Sequence, residues 1–250
     1  MKRHIPNGIT LLNLLCGCIA VILTLNNNIN TAAIFVFLGI FFDFLDGFVA
    51  KKLNSQSALG IQLDSLADLI TSGLVPGVVM YKLLSIATHE NVNHSEWTTN
   101  VNEISFSLPI LPLIALLIPL ASAYRLAKFN LDEDQQTYFK GLPTPANALL
   151  IISLPLIVQN HVGLGDFILK TWTLIIITLL SCYLLNSKLK LFALKFKQTT
   201  SIERIVKYGF IVLCLLLLGL LQFIAIPIII LSYIIVSIIY NIVSKQKDHD

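Results

Sequence analysis

Asp43 and Asp46 stand three residues apart, and Asp64 and Asp68 stand four apart. On helices, each spacing puts both carboxylates of a pair on one face. Gly47 and Ala50 extend the first stripe and Gly60 extends the second. Small residues there let a ligand or another helix come close. Residues 51–59 between the pairs are polar and include Asn54, Ser55, Gln56 and Ser57. Two neighbouring helices joined by such a turn would present four carboxylates to one cleft. Like charges at short range repel, and two divalent cations would balance them. Oxygen donors without His or Cys favour Mg2+, Mn2+ or Ca2+ over Zn2+. Two-metal carboxylate sites serve phosphoryl displacement, with the ions on the attacking and leaving oxygens.

The chain that must position these residues is apolar. Of its 250 residues, 56% are hydrophobic and 12% charged, and the mean hydropathy is +0.80. A soluble domain carries about 25% charged residues. A chain this apolar cannot hide its surface from water, which implies an all-α, polytopic membrane protein. The least hydrophobic stretches run from 88 to 104 and from 128 to 143. Eight candidate spans follow: residues 8–26, 32–52, 62–86, 105–126, 144–161, 164–186, 204–221 and 223–243. The count is six or seven if the tail pair lies partly in the interface. Residues 205–243 would form a rod nearly twice the bilayer thickness, so a break centred on Gln222 is expected to fold them back. Spans five and six are joined closely, through Asn160, His161 and Gly163. The first span is read as a retained helix rather than a signal peptide, because Asn26, Asn27 and Asn28 follow it and no small-x-small cleavage site does.

Charge orients the spans. With the N-terminus in the cytoplasm, 15 of the 17 basic residues fall inside, from Lys2 and Arg3 through Lys51, Lys52 and Lys188 to Lys245 and Lys247. Only Lys82 and Lys170 fall outside, as the positive-inside rule requires. Both termini are then cytoplasmic, and the carboxylates lie in a cleft near the cytoplasmic interface. The net charge is +3, with no basic face for nucleic acid. Cys16, Cys18, Cys182 and Cys214 all lie in apolar runs and read as small hydrophobes. The chain reads as one integral membrane domain over residues 1–250, in the cytoplasmic membrane of a bacterium.

Carboxylates are costly in this setting, at about 2.5–3.5 kcal/mol each at a bilayer centre. One Asp near a helix end is usually interfacial, and two on one face can be a structural contact. Four, paired on consecutive helices, point to chemistry instead.

Asp43-x2-Asp46-Gly47-x2-Ala50-Lys51-x8-Gly60-x3-Asp64-x3-Asp68 resembles the signature of the CDP-alcohol phosphatidyltransferases, D-x2-D-G-x2-A-R-x8-G-x3-D-x3-D. All the Asp, Gly and Ala positions match; Lys51 stands where the family usually has Arg. Lys keeps the charge and loses the bidentate fork. The resemblance implies a CDP-linked donor, such as CDP-diacylglycerol, and two divalent cations, Mn2+ or Mg2+ or else Ca2+, held by Asp43, Asp46, Asp64 and Asp68. It implies Asp68 as general base on the acceptor hydroxyl. It implies Gly47, Lys51, Ser57 and Gly60 as donor contacts, with Asn7 and Thr10 from the first helix beside them. The chemistry is coherent in itself: an alcohol needs a base during attack, and CMP leaves as an anion that cations on the diphosphate stabilise.

A second stretch, Arg125-Leu-Ala-Lys128-Phe-Asn130 followed by Phe139-Lys-Gly141-Leu-Pro143-Thr-Pro145, resembles the serine-accepting branch of that family, which carries R-L-A-R-F-N and then F-x-G-L-P-x-P. Singly, such basic residues read as snorkelling anchors and such prolines as helix starts. Together they imply L-serine as acceptor, with Arg125, Lys128 or Asn130 on its carboxylate or on the lipid phosphate. The acidic run at 132–134 reads as a solvated loop. The resemblance covers about residues 5–190. The tail pair at 204–243 carries no motif and is expected to serve packing or contact in a homodimer. The basic segment 188–207 would face anionic headgroups. Two alternatives remain: another acceptor, glycerol phosphate or inositol phosphate, and an intramembrane cation transporter.

Overall fold

The computed structural model describes residues 4–88, 110–131, 139–191 and 201–247. Lys2, Arg3, residues 89–109, the acidic run 132–134, and Lys195 and Lys197, on which parts of the sequence argument drew, lie outside the described residues.

The architecture is a helical bundle turned inside out for lipid. Helices α1 (His4–Leu25) and α2 (Ile29–Lys52) form an antiparallel pair. The three asparagines between them end one helix and start the next. Asn27 takes a left-handed φ of +60°, and the Asn27 and Asn28 amides donate to the carbonyls of Thr24 and Leu23. That is the paired bonding of a Schellman motif. The Asn28 side chain then accepts from the Thr31 amide and caps α2. The α2 C-terminus repeats the device: Asn54 sits at φ +47°, with the Asn54 and Ser55 amides on the carbonyls of Lys51 and Ala50. Sequence thus sets both turns that bring α1, α2 and α3 together.

After this turn α3 (Ala58–Asp68) runs into a π-helical turn (Leu69–Leu74) and then α4 (Val75–Ala87). The Val75 amide reaches back five residues to the Ile70 carbonyl. Pro76 at the start of α4 offers no amide and crowds the carbonyl four residues earlier; a wider turn there lets the rod continue. The rod, Ala58–Ala87, is 30 residues, about 45 Å at 1.5 Å per residue. Glycines seat it tightly against α5 (Leu117–Leu131), which a short 3-10 turn (Pro112–Leu116) precedes. A Cβ on Gly77 would lie 2.7 Å from Pro119 Cδ, and one on Gly73 would lie 3.1 Å from Ser122 Cβ.

Helix α6 (Thr144–Asn160) is buried at every residue from Ile151 to Ile157. Together with Met80, Leu84, Ile118 and Leu174 it forms the main core. By contrast Phe41, Phe44 and Phe48 of α2 are exposed, as side chains facing acyl tails are. Helix α7 (Val162–Ile168) meets α8 (Thr171–Asn186) at a 69° bend.

Two strands of two residues, β1 (Phe139–Lys140) and β2 (Lys190–Leu191), pair antiparallel. They tie the segment before α6 to the segment after α8. Gly141 follows at φ +77°, where a Cβ would lie 2.6 Å from the Leu185 carbonyl oxygen. Its amide donates to Leu189 O, and that of Leu142 to Leu184 O. Leu142 is then buried with Leu184, Ile230 and Ile234. The last two of these come from α10 (Ala225–Lys247), which follows α9 (Ser201–Leu221) across a break at Gln222, φ +47°.

The all-α polytopic expectation holds; the helix is interrupted at Gln222 as expected, but the tail is not folded back there, since Val212–Ile238 runs through the break as one stretch. The span count differs from eight. Five stretches among the described residues are long and apolar enough to cross a bilayer, and six if the bent α7–α8 pair is one span. Helix α6 has 17 residues, at the lower edge of a spanning length, and is surrounded largely by other helices. Over the tail, the apolar stretch Val212–Ile238 runs through the break and counts once where the sequence suggested two.

One end of the bundle collects Asn27, whose side chain accepts from Lys82 Nζ at 3.1 Å, and Ala87, whose carbonyl accepts from Thr171. Alternation along the chain puts the α2–α3 turn, β1 and β2 at the opposite end. The two basic residues expected outside, Lys82 and Lys170, therefore share the first end.

Candidate active site

The carboxylates do converge. One oxygen from each of Asp43, Asp46 and Asp64 lies within 4.8 Å of the others. Asp68 adjoins this trio, next to Asp43 and Asp64. An all-oxygen set this compact fits hard divalent cations, and the four aspartates are the residues that would hold them.

Helix α1 supplies the floor. Its buried stripe runs Pro6, Thr10, Asn13, Cys16, Gly17, Ala20, a spacing of three and four that keeps one face inward. The Thr10 hydroxyl donates to Asp46 Oδ2 at 2.5 Å and is buried. Thr10, expected as a nucleotide contact, holds a carboxylate in place. Asn13 Nδ2 donates to Asp68 Oδ1 at 3.4 Å. The sequence reading passed over Asn13, although its place three residues after Thr10 in an apolar helix was a signal.

Of the other expected donor contacts, Gly47 is exposed on α2, and a Cβ there would meet nothing within 4 Å. The space beside it is open to a ligand. Lys51 is exposed one turn further on. Ser57 Oγ accepts from the Gly60 amide at 3.0 Å and caps α3. Asn7 Oδ1 and Ser57 Oγ would each lie 3.2 Å from a Cβ on Gly60, so Asn7, Ser57 and Gly60 form one edge of the cleft.

From the other side comes α5. Arg125 is 9% exposed, within electrostatic reach of Asp68, and its Nε has no hydrogen-bond partner. Ser122, one turn earlier, is buried with its hydroxyl likewise unpartnered. Asn130 Nδ2 donates to Ser65 Oγ at 2.9 Å and fastens α5 to α3. Lys128 is exposed. The structure therefore brings Arg125 and Asn130 to the carboxylate helix and leaves Lys128 on the surface. The Gly141–Pro143 part of the second motif builds the strap already described and does not enter the carboxylate cluster. All four cysteines are free, as read from their apolar settings.

A bundle of membrane helices with an aspartate trio, a fourth aspartate beside it and a cation opposite is built for phosphoryl displacement at a membrane. The profile of the CDP-alcohol phosphatidyltransferase family matches residues 3–202, and the chain belongs to that family. Among its relatives, the CDP-diacylglycerol–serine O-phosphatidyltransferase of Bacillus subtilis (strain 168) is 34% identical over 153 residues, 61% of this chain and 75% of the relative. The protein of the same name from Methanocaldococcus jannaschii is 29% identical over 157 residues, 63% of each chain. The archaetidylserine synthase of Methanothermobacter thermautotrophicus is 28% identical over 151 residues, 60% of this chain and 56% of the relative. The chain thus spans three quarters of the first relative and less than two thirds of the other two.

Proposed function

We propose that this chain transfers the phosphatidyl group of CDP-diacylglycerol to the hydroxyl of L-serine, giving phosphatidylserine and CMP. The observation that carries this reading is the Asp43–Asp46–Asp64 trio with Asp68 between it and Arg125. Divalent cations held by the four aspartates, Mn2+ or Mg2+ or else Ca2+, would neutralise the diphosphate and the departing CMP. The chain's own residues do the rest. Gly47 leaves room for the nucleotide, with Lys51 and the Asn7–Ser57–Gly60 edge around it. Arg125, charged and short of a partner, receives the serine carboxylate in a charge-assisted pair. Asp68 takes the serine hydroxyl proton as that oxygen forms its bond to the lipid-bearing phosphorus. The phosphorus–oxygen bond to CMP breaks, and CMP leaves with the electron pair.

The donor is lipid-borne, so its phosphates lie at the membrane surface. We place the cleft at the cytoplasmic face, with both termini on that side, in a bacterial cytoplasmic membrane; the positive-inside bias supports this orientation. The test is CMP release by purified protein from CDP-diacylglycerol, with and without L-serine, in Mn2+, Mg2+ or EDTA. Serine-dependent, EDTA-sensitive release that disappears in Asp68→Asn is expected. Release with glycerol 3-phosphate or inositol phosphate but not serine would overturn the acceptor. No release with any alcohol would return the carboxylates to the reading of an ion path.

A further inference from the structure

We propose that Asn13 is the positioning residue for the Asp68 carboxylate, fixing which of its oxygens faces the acceptor. The inference deepens the function proposed above and rests on Asp68 acting there as base.

Asn13 is fully buried and touches the Asp68 segment twice. Its side-chain Nδ2 lies 3.4 Å from Asp68 Oδ1, and its backbone carbonyl accepts from Thr71 Oγ1 at 3.1 Å. The amide orientation follows from chemistry: a carboxylate only accepts, so the NH2 end must face it. The other end, Oδ1, has no partner and points to α2, where a Cβ on Gly39 would lie 3.0 Å from it. A residue with a fully buried, half-satisfied amide is held for what its satisfied half does.

The need for such a residue comes from the backbone. Asp68 is the last residue of α3, and the π-helical turn begins at Leu69. Asp68 itself keeps α-helical φ and ψ of −61° and −37°, which hold its Cβ on the Asp64 face and leave its side-chain torsions to be fixed by a partner. Thr71 re-anchors that turn. It lies between Gly17 of α1 and Gly39 of α2, where a Cβ on either glycine would fall 2.5 Å and 2.7 Å from its side chain. Asn13 therefore couples the clamped turn and the carboxylate in one residue. With Oδ1 of Asp68 turned to the amide, the plane of the carboxylate is set, and with it how Oδ2 faces the acceptor hydroxyl.

The experiment uses the full-length protein with Asn13→Leu, which keeps the branch at Cγ, removes the donor and is larger, and Asn13→Ala, which removes the donor and is smaller. Wild-type serine-dependent CMP release is established first, so that failure of the proposed function is seen separately. For each variant kcat, KM for CDP-diacylglycerol and KM for serine are measured. Sites are counted and their affinity determined by Mn2+ titration with electron paramagnetic resonance, and kcat is expressed per Mn2+-binding site. A lost hydrogen bond to a charged group predicts a fall in kcat of about tenfold to a hundredfold in both variants. Both KM values should stay within about twofold of wild type, as expected when an interaction made in the transition state alone is lost, and Mn2+ affinity should fall by less than kcat, because Asp68 is one of four cation ligands. Asn13→Leu with a wild-type kcat would overturn the proposal and reduce Asn13 to packing. A loss of Mn2+ affinity as large as the fall in kcat, or a rise in KM matching the loss in kcat/KM, would also overturn it, assigning the residue to binding. So would failure of both variants to form Mn2+ sites, which would assign Asn13 to the fold.

Discussion

The clamp on Thr71 can be tested by the different ways its two glycines should fail. In Gly39→Ala the new methyl would lie 2.7 Å from Thr71 Cγ2 and 3.0 Å from Asn13 Oδ1. In Gly17→Ala it would lie 2.5 Å from Thr71 Oγ1 and 3.0 Å from both Thr71 Cα and N. Each is overpacking, which costs about 1–3 kcal/mol, or roughly 2–4 °C of Tm per kcal/mol for a chain of this length. Their remedies differ. Thr71→Ser deletes the Cγ2 methyl that obstructs the new side chain in Gly39→Ala and keeps the hydroxyl bonded to Asn13 O, so it should restore most of the Tm and activity lost in that variant. It should do nothing for Gly17→Ala, whose obstacles are the hydroxyl itself and the main chain. Thermal unfolding of the single and double variants, each paired with a serine-dependent CMP-release assay, reads this out. Equal rescue of both glycine variants by Thr71→Ser, or a Gly17→Ala protein as stable as wild type, would refute the claim that Thr71 is wedged between α1 and α2.

Three further outcomes are expected. Gly47→Ala should leave Tm unchanged, because its methyl meets nothing within 4 Å, while KM for CDP-diacylglycerol rises; an unchanged KM would remove Gly47 from the donor site. Thr10→Val should weaken Mn2+ binding by the loss of about 1.5–3 kcal/mol of hydrogen bonding to Asp46, visible in a Mn2+ titration as a rise in Kd. Gly141→Ala should lower Tm and serine-dependent turnover together, since alanine at φ +77° would set its methyl 2.6 Å from Leu185 O; a stable, active variant would show that the strap after β1 does not matter.

The chemistry was legible because spacing alone carries it: Asp43, Asp46, Asp64 and Asp68 announce their faces through a period of three and four. Ser57 was harder. A serine at the end of a polar turn reads equally as a ligand contact and as a helix cap, and only the bond to the Gly60 amide shows that it caps α3. The carboxylate partner of Thr10, and Asn13 altogether, escaped for another reason. What they touch lies 36 and 55 residues away in sequence, and hydropathy has no term for a polar residue facing another helix. The span count stays open at α6, whose 17 residues stand at the lower edge of a spanning length, and at the tail, where one apolar stretch runs through the break. Gly141 looked like part of a branch motif; its left-handed φ and crowded surroundings give it a structural duty that composition cannot display.

The family profile ends at residue 202, yet Ile230 and Ile234 of α10 close over Leu142, at the end of the strap. The reach of the family profile and the reach of the packed structure therefore differ on this chain. A version trimmed to residues 3–202 would keep all four aspartates of the site and uncover Leu142 and Leu184. Substitutions in α10, far along the chain from the catalytic motif, can thus unseat the strap, because Ile230 and Ile234 pack in one cluster with Leu142.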